Sequence, residues 1–159
     1  MARVRLERCG RGPPVWVAIA RASIPVTYVD TSVVIRYLTG DDPVRTSAAM
    51  AIIETRAERA VSMIAILEAS HVLRTAYAYE RRTVASALMD LVSRRNVIVP
   101  EFAKDHVLRW LKAWGEGTVD SAGDALIAAS MSANEAEAIA TFDVGFPRGA
   151  WTVLAEPQP

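Results

Sequence analysis

Short runs of β-branched and aromatic residues alternate along this chain with longer stretches whose apolar side chains recur at helical spacing. The first run, Val26-Thr27-Tyr28-Val29, predicts a strand that ends at Asp30. Thr31 and Ser32 suit the capping of a helix over Val33 to Leu38, which Gly40 stops. After Asp41-Asp42-Pro43 a second helix is predicted to about Arg59, with Ala48, Ala49, Ile52 and Ile53 on its buried face. Ala60-Val61-Ser62 reads as a short strand and Met63 to Tyr79 as a long helix. A helix from about Thr83 to Ser93 then leads through the turn Arg94-Arg95-Asn96 into the strand Val97-Ile98-Val99, closed by Pro100. Phe102 to Trp114 reads as a helix ended by Gly115 and Gly117, and Asp120 or Ser121 caps another over Ala122 to Met131. Ala138-Ile139-Ala140 leads into Thr141-Phe142-Asp143 at a strand edge, and Trp151-Thr152-Val153-Leu154 is a last short strand.

Strands alternating with helices call for an α/β fold, a parallel sheet covered by helices on both faces. Ligands in such folds bind beyond the carboxyl ends of the strands. The expected domain spans 26–154. Residues 1–25 are expected to be a flexible N-terminal extension and 155–159 a disordered tail. The extension carries Arg3, Arg5, Arg8 and Arg11 ahead of the apolar stretch Val15 to Ala20, which is too short for a secretion signal and ends at Arg21.

Against that scaffold, Asp30, Glu68, Asp124 and Asp143 stand out, because three of the four lie where a strand hands over to a loop or helix. Converging carboxylates repel, and burial together raises the pKa of at least one unless a cation is present. A hard dication such as Mg²⁺ or Mn²⁺, which takes oxygen ligands and suits phosphate chemistry, is the simplest remedy. Each acid also has a plainer use. Asp30 can cap the helix after its strand, Asp143 can serve a turn before Gly145, and Asp124 can close a capping box with Ser121. Asp120, one turn before Asp124, is either a cap or an auxiliary acid. Glu68 is expected to sit among Ile64, Val72, Thr75 and Tyr79, well away from the polar stripe of Ser70, Arg74 and Arg81, so that it needs a partner.

Composition narrows the chemistry. With 52% hydrophobic and 23% charged residues, the 159-residue chain can bury a single core. Lys plus Arg equals Asp plus Glu at 18 each, which gives no overall electrostatic sign of nucleic-acid binding, although Arg74, Arg81, Arg82, Arg94 and Arg95 could ring an acidic pocket. Cys9 is the single cysteine, so no internal disulfide forms, and a reducing cytoplasm is the expected compartment. His71 and His106 lack zinc-motif spacing. No nucleophile elbow, P-loop, dinucleotide fingerprint or membrane span is present. Trp110 and Trp114, four apart on one helix, predict core packing or a subunit contact.

Four segments together resemble the PIN-domain ribonucleases, and among them the VapC-type toxins of type II toxin–antitoxin systems. They are Tyr28-Val29-Asp30-Thr31-Ser32-Val33-Val34-Ile35, Ile66-Leu67-Glu68-Ala69, Gly123-Asp124-Ala125-Leu126-Ile127-Ala128-Ala129, and Thr141-Phe142-Asp143 followed by Phe146. The resemblance implies a three-layer α/β/α PIN-like fold over roughly residues 26 to 154 and Mg²⁺- or Mn²⁺-dependent endoribonuclease activity. By that resemblance Asp30 and Asp124 are the principal metal ligands, Asp143 completes the cluster, and Glu68 orients the attacking water or a second ion. Ser32 and Thr141 would support that shell through their hydroxyls. A homodimer, an RNA substrate and a cognate antitoxin partner are also implied. Two rivals remain open: a PIN-fold interaction module without catalysis, and a Mg²⁺-binding receiver-type signalling domain.

Overall fold

In the computed structural model, which describes residues 26–154, strands β1 (Thr27–Tyr28), β2 (Arg59–Ala60) and β3 (Val97–Ile98) form a parallel sheet in that order. Thr27 pairs with Arg59 and Arg59 with Val97. β4 (Ala138–Ala140) and β5 (Thr152–Leu154) form a second parallel pair, in which Ile139 faces Val153. Six helices join them: α1 (Thr31–Thr39), α2 (Pro43–Ile53), α3 (Met63–Thr75), α4 (Arg81–Ser93), α5 (Lys104–Glu116) and α6 (Ala122–Ala133). The chain is thus a three-layer α/β/α structure about a central parallel sheet, the fold its strand–helix alternation predicts. The extension over 1–25 and the tail over 155–159, both expected from the sequence, lie outside the described residues.

Local chemistry sets the helix boundaries. Asp30 caps α1 by accepting from the Ser32 backbone N–H, so the helix starts at Thr31 rather than at Val33. Asp42 accepts from the N–H groups of Val44 and Arg45, and Pro43 occupies the first turn of α2, where its missing N–H costs nothing. α2 ends at Ile53, short of Arg59, which belongs to β2. Only Ala49 and Ile53 of its expected apolar face are buried; α2 packs chiefly on α1, which covers one narrow stripe and leaves Ala48 and Ile52 exposed. α3 stops at Thr75, four residues before the expected end, because Ala78 turns the backbone to φ +55. The two glycines read as terminators divide the work. Gly117 closes α5 at φ +83, a conformation that disfavours other residues, while Gly115 lies inside α5 against Ala85 of α4.

Val34, Val61, Ile66, Leu88, Leu91 and Leu111 lie in one continuous core. Trp114 joins it. Trp110, partly buried against that core, also lays its ring against Trp151, with centroids 5.7 Å apart, and donates its Nε1–H to Ser132 Oγ at 3.0 Å. That contact fastens the start of β5 to α5 and α6, and through β5 it holds β4 and the loop after it. Among the described residues no helix is long and apolar enough to cross a membrane.

Candidate active site

Asp30 sits at the carboxyl end of β1 with both Ser32 groups on one oxygen: the hydroxyl donates to Oδ2 at 2.7 Å and the backbone N–H at 3.1 Å. Those bonds hold the Asp30 pKa below its ordinary value, the hydroxyl contributing most and the backbone N–H next, while the Thr31 N–H adds a weaker pull. The upward shift expected of a crowded carboxylate is therefore absent at Asp30, because the side chain is exposed and hydrogen-bonded in its charged form.

One residue further on, Thr31 turns its side chain inward and donates Oγ1–H to Glu68 Oε2 at 2.7 Å, across 37 positions of sequence. Thr31 is 8% exposed, whereas Glu68 is on the surface. This corrects the helical-face reading of α3. Its Ile64, Leu67, Glu68 and His71 are exposed, and Ala65, Ile66, Ala69, Ser70 and Leu73 face the core. Ser70 can be buried because its hydroxyl donates to the Leu67 carbonyl at 2.6 Å within the helix. Polarity alone put the stripe on the wrong side; Glu68 is a surface acid held at its tip.

Asp124 is half-buried in the first turn of α6, where the Ser121 hydroxyl donates to Oδ2 at 2.7 Å and itself accepts from the Asp124 N–H at 2.9 Å. Asp143 lies in the loop after β4. Its N–H donates to Thr141 Oγ1 at 3.0 Å, and its Oδ1 accepts from the Gly145 N–H at 2.8 Å. Thr141 thus braces the Asp143 turn as Ser32 braces that of Asp30. Gly145 also brings in Asp120, which the sequence leaves between a cap and an auxiliary acid. A Cβ built on Gly145 would meet Asp143 Oδ1 at 3.2 Å and Asp120 Oδ2 at 4.0 Å, so both carboxylates face the same small space, while Ser121 takes the capping role.

The acids are accordingly linked in small groups: the Asp30 turn with Glu68 through Thr31, Asp143 with Asp120 beside Gly145, and Asp124 with Ser121. Each of Asp30, Glu68, Asp124 and Asp143 commits one oxygen to these bonds. The other oxygen accepts no hydrogen bond of normal geometry among the described residues. The donor set is all oxygen, which is what Mg²⁺ or Mn²⁺ takes. Among the described residues, no three Asp, Glu, His or Cys side chains stand close enough together to hold an ion. The histidines are not part of the site: His71 is exposed, and His106 sits edge-on to Phe102.

Phe142 and Val144 flank Asp143 and are the most exposed large hydrophobic side chains among the described residues, at 84% and 90%. Neither carries polar chemistry of its own; their signal in the sequence is an apolar pair enclosing an acid in a loop. In comparisons with known proteins, the family model described as PIN domain matches residues 27–151. No curated protein and no solved structure matches the chain.

Proposed function

The chain belongs to the PIN domain family, and from that premise we propose that it is a divalent-metal-dependent endoribonuclease that serves as the toxin of a toxin–antitoxin pair. Family membership supports a nuclease-type hydrolase and lends nothing to a receiver-type domain. The observation that carries the finer reading is the arrangement of the four acids. Each is fixed by one oxygen to a hydroxyl or backbone N–H, and its second oxygen accepts no hydrogen bond of normal geometry among the described residues.

Asp30, Asp124 and Asp143 are the proposed ligands of Mg²⁺ or Mn²⁺; because no three such side chains stand close enough together among the described residues, binding would have to draw them in, and the ion would then supply charge that offsets the negative charge growing on a scissile phosphate and lower the pKa of a bound water. The protein's own part is orientation. Ser32 and Thr141 fix the turns that present Asp30 and Asp143, so neither carboxylate must be ordered at the moment of reaction. Thr31 fixes Glu68 Oε2, which leaves Oε1 to accept a hydrogen bond from the attacking water and aim it. A homodimer, a cognate antitoxin covering the acids and a cytoplasmic setting belong to the same proposal.

The test is incubation of the purified protein with total RNA, with Mg²⁺ or Mn²⁺ and with EDTA, followed by mapping of 5′ ends. Discrete cuts that require the metal are expected, together with growth arrest on expression that the product of a short adjacent reading frame relieves. Intact RNA under every condition overturns the nuclease reading, and cuts without growth arrest overturn the toxin role.

A further inference from the structure

Beside Asp143 lies an open cleft of about 280 Å³, walled by Phe142, Val144, Phe146 and Arg148 and floored in part by Thr141 and Asp143. Resting on the nuclease reading above, we propose that this cleft seats one unpaired base of a single-stranded RNA substrate, stacked on the Phe142 ring, with the adjoining phosphate on Arg148.

Three observations point the same way. The loop presents Phe142 and Val144 rather than burying them. Phe146, only 4% exposed, anchors it from below, and the Thr141, Asp143 and Gly145 backbone bonds fix its turn. An apolar pair held in water beside an acid, by a loop whose next aromatic is buried, is arranged for a ligand rather than for the core. The volume also decides between ligands. It lies just below the roughly 300–1,000 Å³ of pockets for drug-sized molecules, which suits one planar ring with its sugar and phosphate left at the edge. Charge then selects the kind of ring. Arg148 in the lining calls for an anionic group on the same ligand, while Asp143 repels one, so the occupant joins a neutral flat face to a phosphate at its edge. An unpaired nucleotide has that build, and stacking on an aromatic ring is the usual way proteins hold splayed bases. A base in a duplex cannot reach the ring, so the cleft selects single strands and sets the nucleotide placed next to the acids.

The test is binding of a short fluorescein-labelled single-stranded RNA of mixed sequence to the full-length protein in EDTA, followed by fluorescence anisotropy. Wild type is expected to bind the strand in preference to a duplex of the same sequence. Phe142→Ala should weaken binding about fivefold to a hundredfold, the value of one stacked base, and Phe142→Trp should restore it. Arg148→Gln should lower the slope of log affinity against log salt by about one. Binding in EDTA does not depend on cleavage, so the two readings can fail separately. If wild type cleaves RNA with Mg²⁺ yet Phe142→Ala binds as tightly as wild type, the cleft proposal falls and the nuclease stands. If Phe142 governs binding but no metal supports cleavage, the nuclease falls and the cleft stands. Absence of binding by wild type, or equal binding of duplex and single strand, also overturns the proposal. So does a cleft that takes an apolar peptide side chain instead, since RNA binding would then ignore both substitutions.

Discussion

Thr31 Oγ1 donates to Glu68 Oε2 at 2.7 Å, joining the residue after the β1 acid to an acid on α3 that lies 37 positions away. Glu68 is at the surface, so Thr31→Val leaves its carboxylate to water and costs orientation rather than stability. RNA cleavage should slow about threefold to tenfold, the effect of losing one hydrogen bond worth ~0.5–1.5 kcal/mol. Thr31→Ser should restore it, with the melting temperature within a few degrees of wild type in both. A rate indifferent to Thr31→Val would show that Glu68 needs no positioning.

Asp30→Asn and Asp124→Asn separate charge from architecture. At position 30 Asn caps a helix about as well as Asp and its amide oxygen can still accept from Ser32, and at position 124, where Ser121 is the cap, the amide oxygen can still accept from Ser121. Both variants should therefore fold like wild type by circular dichroism and lose about a hundredfold or more in cleavage rate. Asp30→Ala removes the cap as well and should also lower the melting temperature. Full activity in either Asn variant contradicts the assignment.

Asp41 provides a pH signature away from the site. It accepts from Arg36, from the Tyr77 hydroxyl at 2.6 Å and from Thr39 at 2.9 Å, and these partners, Arg36 foremost, hold its pKa well below the usual 3.8. A depressed folded-state pKa gives stability that is complete above the unfolded value and is lost as pH falls through the folded one. The melting-temperature gap between wild type and Asp41→Asn should be constant from pH 8 to about pH 5 and close steadily below about pH 4. A gap that persists unchanged under strong acid would show that the carboxylate charge is not what Arg36 and Tyr77 hold.

Gly115 and Gly117 should fail in different ways. A Cβ at Gly115 would come within 2.7 Å of Ala85 Cβ, so Gly115→Ala should strain the α4–α5 contact by about 1–3 kcal/mol and lower the melting temperature by several degrees. At Gly117 a Cβ would meet the movable guanidinium of Arg81, so the lasting strain is in the backbone, at φ +83, and Gly117→Asn should be tolerated better than Gly117→Val. Thermal unfolding of the three variants checks both, and equal losses for Asn and Val would remove the backbone explanation.

The order of strands and helices was legible because most strands lie in or beside β-branched runs and most helices have a cap or stop residue, α4 being the exception with no side-chain cap at Glu80 and no glycine stop. Asp30 itself proved to be the cap of α1, which moved the helix start by two residues. The face of α3 was not legible. Its burial follows the small residues Ala65, Ala69 and Ser70, and a serine that satisfies its hydroxyl inside the helix reads as polar in any periodicity count. α2 misled for the opposite reason: four apolar side chains suggest a broad buried face, yet α1 covers only the Ala49 and Ile53 stripe. The acids could be picked out from their places at strand ends, but their partners could not. The Thr31–Glu68 bond and the shared space of Asp120 and Asp143 depend on loop paths between distant segments. Phe142 and Val144 enclose an acid in the sequence, but that apolar pair points to function only through its exposure, which the fold alone reveals.

The central claim is that Asp30, Glu68, Asp124 and Asp143, which form no ion-holding cluster among the described residues, are drawn together on one dication, and the most direct measurement is the shift in melting temperature that Mn²⁺ produces in wild type and in the four single Asn or Gln variants. An ion bound by the folded chain alone adds about 2.7 kcal/mol at a hundredfold excess over its dissociation constant, or roughly 5–10 °C for a domain of this size. Wild type should rise by that amount, Asp30→Asn, Asp124→Asn and Asp143→Asn should rise little or not at all, and Glu68→Gln should fall between. An equal rise in all five proteins, or none in wild type, would contradict the account.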